Sequence, residues 1–251
     1  MKIVVIGPFS AGKSTLVSRV TRGSSFSIDK HGTTVSLDHG LAQFYGITLH
    51  IFGTPGLERF EILRRILSQG ADGVIFVVDA VNPSSSEEAR KLFMKLQEQL
   101  PNVPVAFAIN KQDLDEARTA EEMLEEMDIP ESKVAIVQPI SAKTGEGVDH
   151  LVSLLVLTII SRYMEVLVAV RDGGMEGIPG IKALLKKPRE ENDLTTLVQW
   201  LAWRGLVVGN WPEQKFKLPK RVEEVIEIFE FIKQFNRPPT PELNESDARV
   251  R

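Results

Sequence analysis

Short apolar runs alternate with helical patterns over the first two-thirds of the chain. The runs Lys2–Ile6, Val35–Phe44, Ile47–Phe52, Gly73–Asp79, Val105–Asn110 and Val134–Pro139 predict strands. Helices are predicted at Lys13–Arg22, Leu57–Gln69, Ser85–Leu100, Thr119–Met127 and Val148–Tyr163. Val74-Ile75-Phe76-Val77-Val78 is apolar on both faces, as a central parallel strand covered by helices must be. Strand–helix alternation implies right-handed crossovers, and so a doubly wound, mostly parallel α/β sheet. Tyr45-Gly46 joins two strands too tightly for a crossover, which predicts a hairpin and one antiparallel edge.

The pattern changes near Arg171. Gly173, Gly174, Gly177, Pro179 and Gly180 predict a hinge over 166–180, after a first domain at 1–165. Beyond it, Leu194, Leu197, Val198 and Leu201 form a helical stripe that Asp193 would cap and Gly205 would end. Leu206–Val208 and Lys215–Leu218 read as short strands, and Arg221–Phe235 as a closing helix. This order predicts a small winged-helix-like domain at 181–236, followed by a Pro-rich mobile tail at 237–251.

Composition narrows the chemistry. The 251 residues are 43% hydrophobic and 25% charged, a globular balance. With 30 Lys and Arg against 34 Asp and Glu, the formal net charge is −4, so no global basic excess would hold a polyanion. Cys is absent, which excludes disulfides, thiolate metal sites and a cysteine nucleophile, and makes cytoplasm the expected location. No signal peptide, membrane span or lipid-anchor motif is read in the sequence, so no membrane partner is expected. The four His residues are scattered, without metal-ligand spacing.

Gly7-Pro8-Phe9-Ser10-Ala11-Gly12-Lys13-Ser14 matches G-x-x-x-x-G-K-[ST] between a strand and a helix. Its backbone N–H groups would cradle phosphate at the positive end of the helix dipole, with Thr15 next along that helix. Lys13 would meet the β- and γ-phosphates, and the Ser14 hydroxyl would ligate Mg²⁺. Asn110-Lys111-Gln112-Asp113 ends the strand from Val105, where doubly wound sheets bind ligands. The Asp113 carboxylate can accept from guanine N1–H and its 2-amino group, donors that adenine lacks there. The Lys111 stem would cover the base, and Asn110 would brace the phosphate loop. In Ser141-Ala142-Lys143, the Ala142 N–H would donate to guanine O6. The expected ligands are therefore GTP and GDP, and an ATPase is disfavoured.

These three motifs, in order on successive strands, resemble the Ras-like small GTPase superfamily over residues 1–165. Within it, Gly32-Thr33-Thr34-Val35-Ser36-Leu37-Asp38-His39-Gly40 and Phe52-Gly53-Thr54-Pro55-Gly56 look most like the prokaryotic MglA-like GTPases. The resemblance implies GDP/GTP switching with Mg²⁺ and a protein effector or activating partner, while the departures at Leu57 and Phe9 predict slow unaided GTP hydrolysis. It makes Thr34, with Thr33 as rival, the threonine on Mg²⁺ and the γ-phosphate, and Gly56 a γ-phosphate N–H donor. Three departures stand out. Gly53 replaces the Asp that holds Mg²⁺ through water, with Asp38 as a substitute. Leu57 replaces the Gln that orients the attacking water. Phe9 stands where Ras has a glycine beside the γ-phosphate. Glu58 and Arg59 are the nearest in-chain replacements, Arg59 as a charge stabiliser.

Lys215, Lys217, Lys220 and Arg221 make DNA a candidate partner of the small domain. Residues 164–251 nevertheless carry 14 Lys and Arg against 14 Asp and Glu, and Trp200 and Trp203 favour protein docking over DNA.

Overall fold

The computed structural model describes residues 1–24, 26–28, 37–54, 68–82, 86–130 and 134–235. The first two-thirds builds β1 (Lys2–Ile6), α1 (Lys13–Val20), β2 (Phe26–Ile28), β3 (Leu37–Phe44), β4 (Ile47–Gly53) and β5 (Gly73–Asp79). It continues with α2 (Ser86–Gln99), β6 (Val105–Asn110), α3 (Ala120–Glu126), β7 (Ile136–Pro139) and α4 (Val148–Ser161). The sheet has seven strands in the order β2-β3-β4-β1-β5-β6-β7. β1 pairs in parallel with β4 and β5, and β5, β6 and β7 continue in parallel. β2 and β3 run antiparallel at one edge. The expected α/β architecture is thus observed. Tyr45 and Gly46 take φ 51° and 71°, the left-handed pair that a two-residue hairpin turn demands.

Alternation along β1 divides two cores. Ile3 and Val5 face a cluster containing Leu16 of α1 and Leu151, Leu155 and Ile159 of α4. Val4 and Ile6 face the opposite side with Phe76, Phe93 and Phe107. Those three rings lie 4.9–5.7 Å apart between centroids, tilted or edge-on, as their quadrupoles favour. α3 starts with a complete capping box: Thr119 Oγ accepts from Glu122 N, and the Glu122 carboxylate accepts from Thr119 N.

The stretch expected to hinge is helical. α5 (Met164–Gly173), a 3₁₀ turn (Gly174–Glu176) and α6 (Gly177–Leu184) fill it. Its glycines serve close approach: a Cβ on Gly180 would lie 2.4 Å from Gly173 O, so only glycines let these helices meet. Then come α7 (Glu191–Trp203), a ribbon of β8 (Val208–Asn210) and β9 (Lys215–Lys217), and α8 (Lys220–Phe235). α7 starts two residues before Asp193, with Glu190 at its N-cap, so Asp193 lies inside the first turn.

Leu167, Ile181, Leu194, Phe216 and Val222 belong to the same buried cluster as β1 and α4. Arg204 extends this contact with charge. Its Nε donates to Asp72 Oδ1 at 2.7 Å, while Asp72 Oδ2 accepts from Lys2 N at 2.7 Å. The Arg204 guanidinium also stacks 3.5 Å over the Trp200 ring. Among the described residues no single helix is long and apolar enough to cross a membrane. α4 together with 164–184 would suffice by length and composition, but the pair bends by 66°.

Candidate functional site

β1 ends at Ile6, and the chain turns through the glycine loop into α1. A Cβ on Gly7 would lie 2.2 Å from Val77 O, and one on Gly12 would lie 2.2 Å from Asn110 Nδ2. Only glycine fits either place, and Gly12 also sits at φ 96°. Lys13 is buried, with Nζ donating to Pro8 O at 2.5 Å, so the loop wraps the lysine head. Within the loop Ala11 is buried, while Phe9 is 61% exposed and Ser10 takes φ 59°. Ser14 and Thr15 are exposed on the first turn of α1. An open groove of about 900 Å³ runs between α1 and the loop after β7, lined by Ser14, Thr15, Arg19, Ala142 and Thr144. Lys13, Asn110, Lys111 and Asp113 do not line it, so the groove flanks the two loops.

Asn110 joins the two halves of this region. It is buried at the end of β6; its Nδ2 donates to Ala11 O at 2.8 Å, and its Oδ1 accepts from Ala142 N at 2.9 Å. The expected brace on the phosphate loop is present. Through the same amide, Asn110 also holds the loop after β7, since its Oδ1 takes the Ala142 N–H. Lys111 follows with φ 74°, and its ammonium pairs with Asp79 Oδ2 at 2.5 Å.

Asp113 lies beyond that turn. Its Oδ1 accepts from Ser141 Oγ at 2.8 Å, and Lys143 Nζ lies 3.6 Å from Oδ2. The Ser141 hydroxyl is the main reason that the Asp113 carboxyl is held below its ordinary range, with Lys143 helping. Asp113 therefore stays an acceptor at neutral pH. The structure brings the phosphate loop, Asn110, Lys111, Asp113 and Ser141–Lys143 together at the C-terminal ends of β1, β6 and β7. Thr33, Thr34, Gly56, Leu57, Glu58 and Arg59 lie outside the described residues.

Two positions were not anticipated. Asp79, the last residue of β5, stands in register with Asn110; it anchors Lys111 and accepts from Val81 N at 3.0 Å. A carboxylate closing an apolar strand beside another motif-bearing strand end was the available signal. Arg19 reaches from α1 to Ala142 O at 3.3 Å and to Lys143 O. Nothing in an amphipathic helix separates such an arginine from a solvated one.

Asp38 ends the antiparallel pairing opposite Gly53 and is buried. A Cβ on Gly53 would lie 3.1 Å from Asp38 Oδ2, so the carboxylate occupies the space beside the strand end. Among the described residues no group of three or more His, Cys, Asp or Glu is arranged to hold a metal by itself.

Known proteins align with this part of the chain. The Ras family matches residues 2–161. Ras-related protein Rab-5B of Plasmodium falciparum is 31% identical over 173 residues, covering 66% of this chain and 81% of that protein. Translation initiation factor IF-2 of Thermotoga sp. (strain RQ2) is 33% identical over 164 residues, 62% of this chain. The match spans only 23% of that factor's length. In fold, the chain is similar to the Arl6 small GTPase from Trypanosoma brucei with bound nucleotide analogue GppNp. The TM-score is 0.54 at 24% identity, over 64% of this chain and 98% of that one. With the family matched across the phosphate loop, Asn110–Asp113 and Ser141–Lys143, the chain belongs to the Ras family of small GTPases.

Proposed function

We propose that the chain is a guanine-nucleotide switch that binds GDP and GTP with Mg²⁺ and hydrolyses GTP slowly. Its output is a surface, offered to a protein partner, that differs between the two nucleotide states. The observation that carries this reading is Asn110, whose one amide ties the phosphate loop at Ala11 to the base-reading loop at Ala142. A nucleotide bridging the two loops meets a preformed frame, with Asp113 ionised to receive guanine.

The residues present fit a Mg²⁺ ion. Ser14 supplies a hydroxyl at the start of α1, Thr34 would supply a second, and Asp38 would act through water. The buried Asp38 carboxylate beside Gly53 supports that role: the neighbouring strand fills the space where the family's Asp is missing. Bound Mg²⁺ would neutralise charge on the β- and γ-phosphates. Lys13 holds the phosphate end, and the Gly56 N–H would orient the γ-phosphate. Leu57 cannot align a water, and Phe9 crowds the γ-phosphate side, so hydrolysis is slow unless Arg59, Glu58 or a partner contributes a group.

The Gly53-Thr54-Pro55-Gly56 pattern supports MglA-like kinship. The order α6, α7, ribbon and α8 supports a winged-helix-like module used for protein docking, and a cytoplasmic location fits this reading. Titration calorimetry with GDP and ADP tests it. GDP should bind at least about 100-fold more tightly, because adenine leaves the Asp113 carboxylate unpaired. Equal binding would overturn the base assignment, and binding of neither would overturn the whole reading.

A further inference from the structure

We infer that Arg19 is a positioning residue for base recognition, acting on Asp113 through the loop that follows β7; this rests on the guanine-binding reading above. Arg19 belongs to the phosphate-loop helix, yet its guanidinium crosses to a loop 123 residues away. Nε donates to Ala142 O at 3.3 Å, and Nη2 donates to Lys143 O. The loop closes over the arginine stem, since a Cβ on Gly145 would stand 3.3 Å from Arg19 Cδ.

A trans peptide is planar, so its carbonyl and the N–H of the following residue point in opposite directions. Holding Lys143 O towards α1 therefore turns the Thr144 N–H the other way, where it donates to Ser141 Oγ at 3.0 Å. Having accepted that bond, the Ser141 hydroxyl directs its single proton to Asp113 Oδ1 at 2.8 Å. The line runs from Arg19 to the 143–144 peptide, to Ser141, to the carboxylate that would recognise guanine. Asn110 ties the same loop from the buried side through Ala142 N, so Arg19 fixes what Asn110 does not: the orientation of the next two peptides.

This role differs from plain loop packing. If Arg19 only stiffened the loop, its loss would weaken every purine nucleotide alike. If it aims Asp113, its loss weakens the contact with the guanine 2-amino group selectively. Inosine diphosphate lacks that amino group and keeps the rest of the guanine edge, so the ratio of GDP to IDP affinity isolates the contact.

The test uses the full chain with Arg19→Ala and Arg19→Lys, measuring GDP and IDP affinities by competition against a fluorescent GDP analogue. Thermal melting monitors folding. The preference for GDP over IDP should fall about tenfold in Arg19→Ala. Arg19→Lys, which can donate to one carbonyl, should recover part of it. An unchanged ratio, with both affinities kept or both lowered together, would overturn the inference. Should Arg19→Ala fail to fold, the same ratio is read in Arg19→Lys and Arg19→Gln, with the same two outcomes. Wild type binding neither nucleotide would instead overturn the guanine-binding reading itself, a separate result.

Discussion

The base end and the phosphate end of the proposed site differ in how many of the expected groups they carry. At the base end every expected side chain is present and tied to its neighbours: Asn110 to both loops, Lys111 to Asp79, Asp113 to Ser141. At the proposed phosphate end the loop closes around Lys13, while Gly53, Leu57 and Phe9 stand where the family resemblance implies a metal-holding Asp, a water-orienting Gln and a glycine. Grip and turnover depend on different atoms, so one can persist while the other declines. On the reading proposed above, the chain would hold a guanine nucleotide more than consume it.

Breaking the base end should have the largest effect. Asp113→Ala should cost at least about 100-fold in GDP affinity and bring GDP and ADP together in competition binding. Retained guanine preference would show that the base is read elsewhere. At the phosphate end, Asp38→Ala should weaken Mg²⁺ in the nucleotide complex by about 10–100-fold, the usual cost of losing a group that orients metal-bound water. GDP binding in excess chelator should be unchanged, and an unaltered Mg²⁺ titration would remove Asp38 from the metal site. Restoring chemistry sharpens the contrast from the other side. Phe9→Gly with Leu57→Gln should raise single-turnover GTP hydrolysis by roughly tenfold without tightening GDP.

The smallest effect concerns pH. Ser141 holds the Asp113 carboxyl below its ordinary range, so the native carboxylate stays ionised further into acid than a free one. Guanine preference should be complete at neutral pH and be lost only as pH falls through that lowered value. In Ser141→Ala the loss should begin nearer the ordinary carboxylate value of about 4, with a few-fold loss of GDP affinity at neutral pH. Coincident acid limbs in the two proteins would show that Ser141 does not control this carboxylate.

The sheet was legible because its strands announce themselves. Lys2–Ile6, Gly73–Asp79 and Val105–Asn110 match residue for residue, since runs apolar on both faces leave few alternatives. Phe26–Ile28 has only three residues, too few to show a period. Around 166–180 the glycine spacing masks a helical face that Val166, Leu167, Ala169 and Val170 trace. The phosphate loop and Asn110–Asp113 were legible because phosphate and guanine recognition require fixed residue types at fixed spacing. Arg19 and Asp79 were not, because their roles exist only through contacts with residues distant in sequence.

The most direct test of the central claim is a single-turnover measurement. The purified chain is loaded with GTP and Mg²⁺, freed of excess nucleotide, and followed by chromatography for bound GTP and GDP. If the chain holds guanine nucleotide more than it consumes it, nucleotide stays bound while conversion to GDP proceeds more slowly than about 10⁻⁴ s⁻¹. Rapid conversion, or loss of the nucleotide during the removal of excess, would contradict it.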